Sequence, residues 1–159
     1  MFKIAGIFIV MTAASIMGLK KRSTLYMRLK LLRETQSAVC AAEAKLRCMR
    51  IPLDECFDSC GSVFTEASLN IRNGMLPSEA IKNAVDSESF FNENDRDVLY
   101  EFSNGLSADD CEGQISNFRL LSERLKPLIK NASDEAAKKG RLVLEGSILA
   151  AAAIILIIL

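Results

Sequence analysis

The sequence predicts an all-α protein, an antiparallel helical bundle between an N-terminal and a C-terminal transmembrane helix. Three observations carry that expectation. Long uncharged apolar runs stand at both ends of the 159-residue chain, Ile4 to Leu19 and Gly146 to Leu159. Between them, apolar residues recur at spacings of three and four, the period of one helix face, with no sustained strand-like alternation. Finally, basic clusters border both runs on their inner sides, Lys20, Lys21 and Arg22 after the first and Lys138, Lys139 and Arg141 before the second.

The ends define three segments: an anchor over 1–22, a helical domain over 23–141 and a second span over 142–159. Ile4 to Leu19 as helix is roughly 24 Å long and Leu142 to Leu159 roughly 27 Å, against a hydrocarbon core of about 30 Å. The first run has a rival reading as a signal peptide, with "MFK" as its charged start and "TAAS" at 12–15 as a cleavage site. Ile16, Met17 and Leu19 continue the apolar run past that site and favour an uncleaved anchor. Lys and Arg beside a span stay on the cytoplasmic face. Both clusters therefore put the middle of the chain in the cytoplasm. In the second span Gly146 and Ala150 form a small-xxx-small pair, which lets backbones approach where apolar surface supplies no drive. Its expected partner is Gly6 with Ala13 or Ala14, or another subunit.

The elements between the spans follow in order. Ser23 is placed to cap a helix toward Met49, nearly continuous with the first span. Its apolar stripe is Leu25, Leu29, Leu32, Val39, Ala42, Leu46 and Met49; Arg28, Lys30, Arg33, Lys45 and Arg47 form a solvated face. Pro52 ends this helix, because the residue before proline is pushed out of the α region. "PLDECFDSC" predicts a short helix ending at Gly61. Another runs from Val63 to Arg72, and Asn73-Gly74 is its C-cap signal. The next starts at Pro77 and presents Ala80, Ile81 and Ala84 on one face. Asn94 with Asp97 opens a helix that ends near Gly105, and Ser107-x-x-Asp110 is a capping box for the last one. That helix shows the stripe Ile115, Phe118, Leu121 or Ser122, Leu125, Ile129, Ala132 and Ala136. Pro127 is expected to kink it.

Charge is unevenly distributed in a chain with 20 basic and 20 acidic residues. Residues 20–50 hold nine basic and two acidic groups, and residues 51–112 hold three basic and fourteen acidic. The basic part suits the anionic cytoplasmic leaflet. The acidic block reads either as a solvated surface or as a docking face for a basic partner, with Asp95, Asp97, Asp109 and Asp110 as the candidate interface.

The chemistry that is missing narrows the function. The chain has no His, which excludes Ser-His and Cys-His nucleophilic catalysis. Its five cysteines, Cys40, Cys48, Cys56, Cys60 and Cys111, are odd in number and unpatterned, and fit reduced, mostly core-filling thiols. Cys56-x3-Cys60 lacks a second pair to complete a four-thiolate zinc site. No phosphate loop, metal cluster or basic nucleic-acid surface is visible. No catalytic residue, cofactor, metal, nucleic acid or small-molecule substrate is therefore expected.

"IPLDEC", "NIRNGMLPSEAIKNAV" with Gly74, Glu79 and Ala80, and "LYEFSNGLSADDCEGQ" with Leu99, Phe102, Leu106, Asp110 and Gln114 occur in that order between the two apolar ends. The chain in this respect resembles the stage III sporulation protein AB family of endospore-forming bacteria. Ser107 stands where that family has glycine. The family in turn looks like a cytoplasmic domain of the platform proteins of type II secretion and type IV pilus systems. The resemblance implies a membrane scaffold of the sporulation channel, contacting a cytoplasmic ATPase and neighbouring membrane subunits. Two alternatives stay open from the residues: a secretion or pilus platform outside sporulation, and an extracytoplasmic helical protein with a signal peptide and a C-terminal anchor.

Overall fold

The computed structural model describes residues 2–49, 51–58, 60–106 and 111–158; in 2–17 and 139–158 it describes side chains only at Thr12, Ile16, Leu142 and Leu149. These residues form helices α1 (Phe2–Met49), α2 (Leu53–Phe57), α3 (Ser62–Arg72), α4 (Pro77–Ser87), α5 (Glu93–Gly105) and α6 (Cys111–Ile158), and no strand. The all-α expectation holds. Among the described residues, no helix is long and apolar enough to cross a membrane. The proposed spans, 4–19 and 142–159, fall mostly on residues whose side chains lie outside that description.

The chain divides into two compact units. Unit 1 combines Met1–Leu29 with Lys130–Leu159, and unit 2 is Lys30–Ile129. Both divisions fall inside the long helices. Ser23 is therefore not a helix cap, because α1 is already helical before it.

In unit 1, Leu29, Ala132 and Ala136 are buried as their stripes require. Arg28 leaves the solvated face assigned to it, since its guanidinium donates to Glu135 at 2.8 Å and its side chain is only 11% exposed. Arg22 lies over the Tyr26 ring, 5.6 Å from the centroid.

Unit 2 is an antiparallel bundle, and its polar contacts set the direction of each helix. Cys40 meets Ser122 at 3.6 Å and Glu43 meets Arg119 at 3.7 Å, so α1 and α6 run in opposite senses. Ser62 donates to Glu88 and Ser87 to Glu66, which sets the start of α3 beside the end of α4. Arg96 pairs with Asp86 at 3.0 Å and donates to the Glu88 carbonyl at 2.8 Å, holding the first turns of α5 against the last turn of α4. Asn117 donates to the Phe102 carbonyl, and Arg124 pairs with Glu101, which aligns α5 with α6.

The core combines the expected stripes with residues the stripes omitted. Leu32, Val39, Ala42, Leu46, Phe118, Leu121 and Leu125 are buried. Met49 is not: it is 68% exposed at the end of α1. Leu31, Thr35, Ala38 and Leu128 are buried as well, widening the apolar face beyond a single stripe. Thr35 is tolerated there because its hydroxyl donates to the Leu31 carbonyl one turn back, at 2.8 Å. At the centre four rings from four helices meet. Phe57 of α2 lies 5.0 Å from Phe64 of α3 and 5.9 Å from Phe118 of α6. Phe102 of α5 closes the group, 5.0 Å from Phe118 and 6.4 Å from Phe64, edge to face with both.

Local signals explain most boundaries. After α3, Gly74 adopts φ +92°, and its N–H donates to the Ile71 carbonyl while that of Met75 reaches the Asn70 carbonyl. This is a Schellman turn, whose left-handed residue favours glycine. Pro77 occupies the first turn of α4, where its missing N–H costs nothing. Two expectations shift. α2 stops at Phe57, four residues before Gly61, because Asp58 turns extended at ψ 130°. α5 starts two residues early: Asn92, not Asn94, is its cap, in a reciprocal box with Asp95. The Ser107–Asp110 box lies outside the described residues. α6 runs on through Pro127, which is exposed. Its missing N–H leaves the Glu123 carbonyl without its helical partner on a water-facing turn, and buried Leu125 and Leu128 on either side offset the cost.

Gly105 is constrained by close approach. A Cβ there would sit 2.6 Å from the Asn117 amide nitrogen, the group that satisfies the Phe102 carbonyl at the end of α5. Two stability measurements follow. Phe118→Ala should destabilise the fold by about 3–5 kcal/mol, read from urea unfolding by circular dichroism. Gly105→Ala should cost about 1–2 kcal/mol by displacing the Asn117 amide, yet in an Asn117→Ala background the same change should be neutral or stabilising. Additive losses in that cycle would show that the two positions are not coupled.

Candidate partner interface

Of the four acidic residues expected at the interface, Asp95 and Asp97 lie among the described residues, and they differ in exposure. Asp95 is fully buried at 0% exposure. Its carboxylate accepts from the Asn92 N–H at 3.2 Å and its own N–H donates to the Asn92 side chain at 2.8 Å. It completes a helix start and offers nothing to a partner. Asp97 is exposed two residues on. Asp109 and Asp110 lie outside the described residues.

Much of the acidic block is stitched into the bundle. Arg72 bridges Asp58 at 3.2 Å and Asp54 at 3.6 Å, and these contacts hold its proton even more firmly than usual. Asp86 takes Arg96 and the Tyr100 hydroxyl, and that hydrogen bond raises the Tyr100 pKa. Glu66, Glu88 and Glu101 are engaged by Ser87, Ser62 and Arg124. Exposed carboxylates outside these contacts are Glu55, Glu79, Glu93, Asp97 and Glu112. Four of them fall at two ends of unit 2. Glu93 and Asp97 stand where α5 starts beside the end of α4. Glu55 and Glu79 stand where α2 and the end of α3 meet the start of α4, an end fixed by the Ser68 hydroxyl on the Asp54 carbonyl at 2.9 Å. Spacing alone hides this division, because the bundle folds adjacent acidic stretches to opposite ends.

Lys45 is the other residue that leaves its expected face. Its ammonium donates to the carbonyls of Asp58 at 2.9 Å and Cys56 at 3.3 Å, and lies 3.6 Å from the Cys60 sulfur. It closes the exposed carbonyl end of α2, a structural task. Cys56 and Cys60 are buried as expected of core thiols, whereas Cys40 and Cys48 are exposed on α1 and Cys111 is half-buried. Burial pushes the Cys56 thiol up to about 11, with Lys45 opposing the rise. Among the described residues no group of His, Cys, Asp and Glu is arranged to hold a metal ion.

In unit 1, Lys20, Lys21, Arg22 and Lys138 are exposed. The side chains of Lys139, Arg141 and Ala150 lie outside the described residues. Gly146 is exposed, and among the described residues no atom lies within 4 Å of the position a Cβ would take.

With the helix order and the acid distribution established, comparison with known proteins becomes informative. The family model described as stage III sporulation protein AB matches residues 3–159. The chain belongs to that family. It is accordingly a sporulation protein. A solved structure titled "Stage III sporulation protein AB" superposes with a TM-score of 0.59 at 18% identity, over 69% of this chain and 96% of that one. At that identity the likeness is one of fold, and it supports the helical architecture of the family. No curated protein matches the sequence.

The cysteine environments predict a graded reactivity. With a pKa near 11, Cys56 carries about a hundredfold less thiolate at pH 8 than a thiol at the ordinary value of 9.0. Under native conditions iodoacetamide should therefore modify Cys40 and Cys48 first and leave Cys56 protected until the chain is denatured. Peptide mass spectrometry over time reads the order, and early loss of Cys56 would contradict the buried placement of α2.

Proposed function

We propose that the protein is a membrane platform component of the channel between mother cell and forespore, acting by binding rather than by catalysis. Helices continuous with apolar runs at 4–19 and 142–159 cross the membrane. Unit 2 stands in the cytoplasm on the mother-cell side, where it contacts the cytoplasmic ATPase of the system, and other membrane subunits flank the spans. The observation that carries this reading is the pair of basic clusters. Lys20, Lys21 and Arg22 on one helix and Lys138 on the other are exposed, just inside the two apolar runs, as cytoplasmic flanks of spans require. Family membership supplies the sporulation context.

Exposed Cys40 and Cys48 are the reporters that test the topology. A membrane-impermeant maleimide should leave both unmodified in intact cells and modify both after permeabilisation. Labelling without permeabilisation would replace this reading with the extracytoplasmic one.

A further inference from the structure

One end of unit 2 combines exposed apolar side chains with exposed carboxylates. At this end α1, α2 and α3 finish and α4 begins. Met49, Leu69 and Leu76 are 68%, 54% and 62% exposed there. Leu69 and Leu76 flank the Schellman turn, which needs Gly74 but neither leucine. Leu76 is also the N-cap of α4 and provides no side-chain cap bond. Serine, threonine, asparagine or aspartate at that position stabilises a helix by about 1 kcal/mol. Leu76 neither caps nor packs, and a local rule broken without a compensating contact marks a position kept for another purpose.

The rim is acidic. Asp54 of α2 and its C-cap Asp58 engage Arg72 at the end of α3, and Glu55 of α2 and Glu79 in the first turn of α4 add two further carboxylates. Glu55 and Glu79 are exposed, and among the described residues neither takes part in an ion pair or hydrogen bond. The opposite end of the bundle, with Glu93 and Asp97, lacks the apolar element: no large apolar side chain from 83 to 100 is exposed.

We infer that the Met49/Leu69/Leu76 end docks a soluble partner through a basic segment that presents aliphatic or aromatic side chains. Charge selects this occupant. A second copy docking through the same patch would bring acidic rim against acidic rim, and an anionic membrane surface would be repelled in the same way. A basic segment gains from the rim while its apolar side chains cover the leucines, an arrangement of apolar centre and polar border common to protein interfaces. The inference rests on the platform reading for the existence of a cytosolic partner, but it assigns the surface independently and moves it away from Asp95 and Asp97.

The test places the photo-cross-linker benzoyl-phenylalanine in the full-length chain at Leu69, Leu76 or, at the other end, Asp97, and irradiates sporulating cells. Adducts are expected from positions 69 and 76, to a different polypeptide whose cross-linked peptide, read by tandem mass spectrometry, is net basic. Their yield should fall about tenfold in the Glu55→Lys/Glu79→Lys chain, as complementary charge is reversed. Protection of Cys56 from iodoacetamide confirms that each substituted chain is folded. Adducts from Asp97 alone would overturn the inference and leave the platform reading standing. Adducts to a second copy, or adducts to another protein that charge reversal leaves unchanged, would overturn it as well. No adduct from any of the three positions would count against both readings.

Discussion

Unit 2 depends on one contact, the meeting of Phe57, Phe64, Phe102 and Phe118, each supplied by a different helix. Short helices such as the five-residue α2 cannot be stable alone, since nucleating a helix costs more than its few hydrogen bonds return. α2 exists because Phe57 is inserted between α3 and α6 and because Lys45 closes its carbonyl end. The rings meet tilted or edge-on, geometries that aromatic quadrupoles favour.

Polar groups are fitted around that core. Thr35, Ser68 and Ser103 are buried with their hydroxyls on carbonyls, and Asp95 is buried as one half of a capping box. Among the described residues, no buried side-chain nitrogen or oxygen is without a partner. Such satisfaction matters because an unpaired buried polar group costs about 1–3 kcal/mol, a large share of a domain's stability. The acidic block serves the same end. Asp54, Asp58, Asp86 and Glu101 tie neighbouring helices through Arg72, Arg96 and Arg124. What reads along the chain as a uniform stretch of negative charge becomes, in three dimensions, a set of links with a few carboxylates left over.

Those remaining carboxylates give the bundle two unlike ends. The end with Glu93 and Asp97 is polar. The end with Glu55 and Glu79 surrounds exposed leucines and a methionine. A scaffold of the kind proposed would work through such differences, since partner choice is a difference of affinities and needs surfaces that reject as well as accept. Membership in the stage III sporulation protein AB family supplies the setting, and the surface chemistry is the ground on which a docking place is proposed within it.

Several features were set by the sequence itself. The helical class, the order of elements, the Asn73-Gly74 stop of α3, the Pro77 start of α4 with its Ala80, Ile81 and Ala84 face, and the two long stripes are local or periodic, so residues a few positions apart suffice to specify them. The family was legible too, in ordered motifs whose residues, Leu99, Phe102 and Leu106 among them, turn out to be buried. Tertiary structure decided the rest. Asn92-x-x-Asp95 and Asn94-x-x-Asp97 are equivalent capping patterns in sequence; packing over the start of α5 buried Asp95 and left Asp97 in water. Lys45 and Arg28 looked like surface charges until their partners, distant along the chain, arrived beside them. Met49 continues an apolar stripe by spacing but has nothing to pack on, because α1 ends there. Spacing determines which residues share a face of one helix. Whether that face meets a core, a carbonyl or water is fixed only when other helices are placed against it.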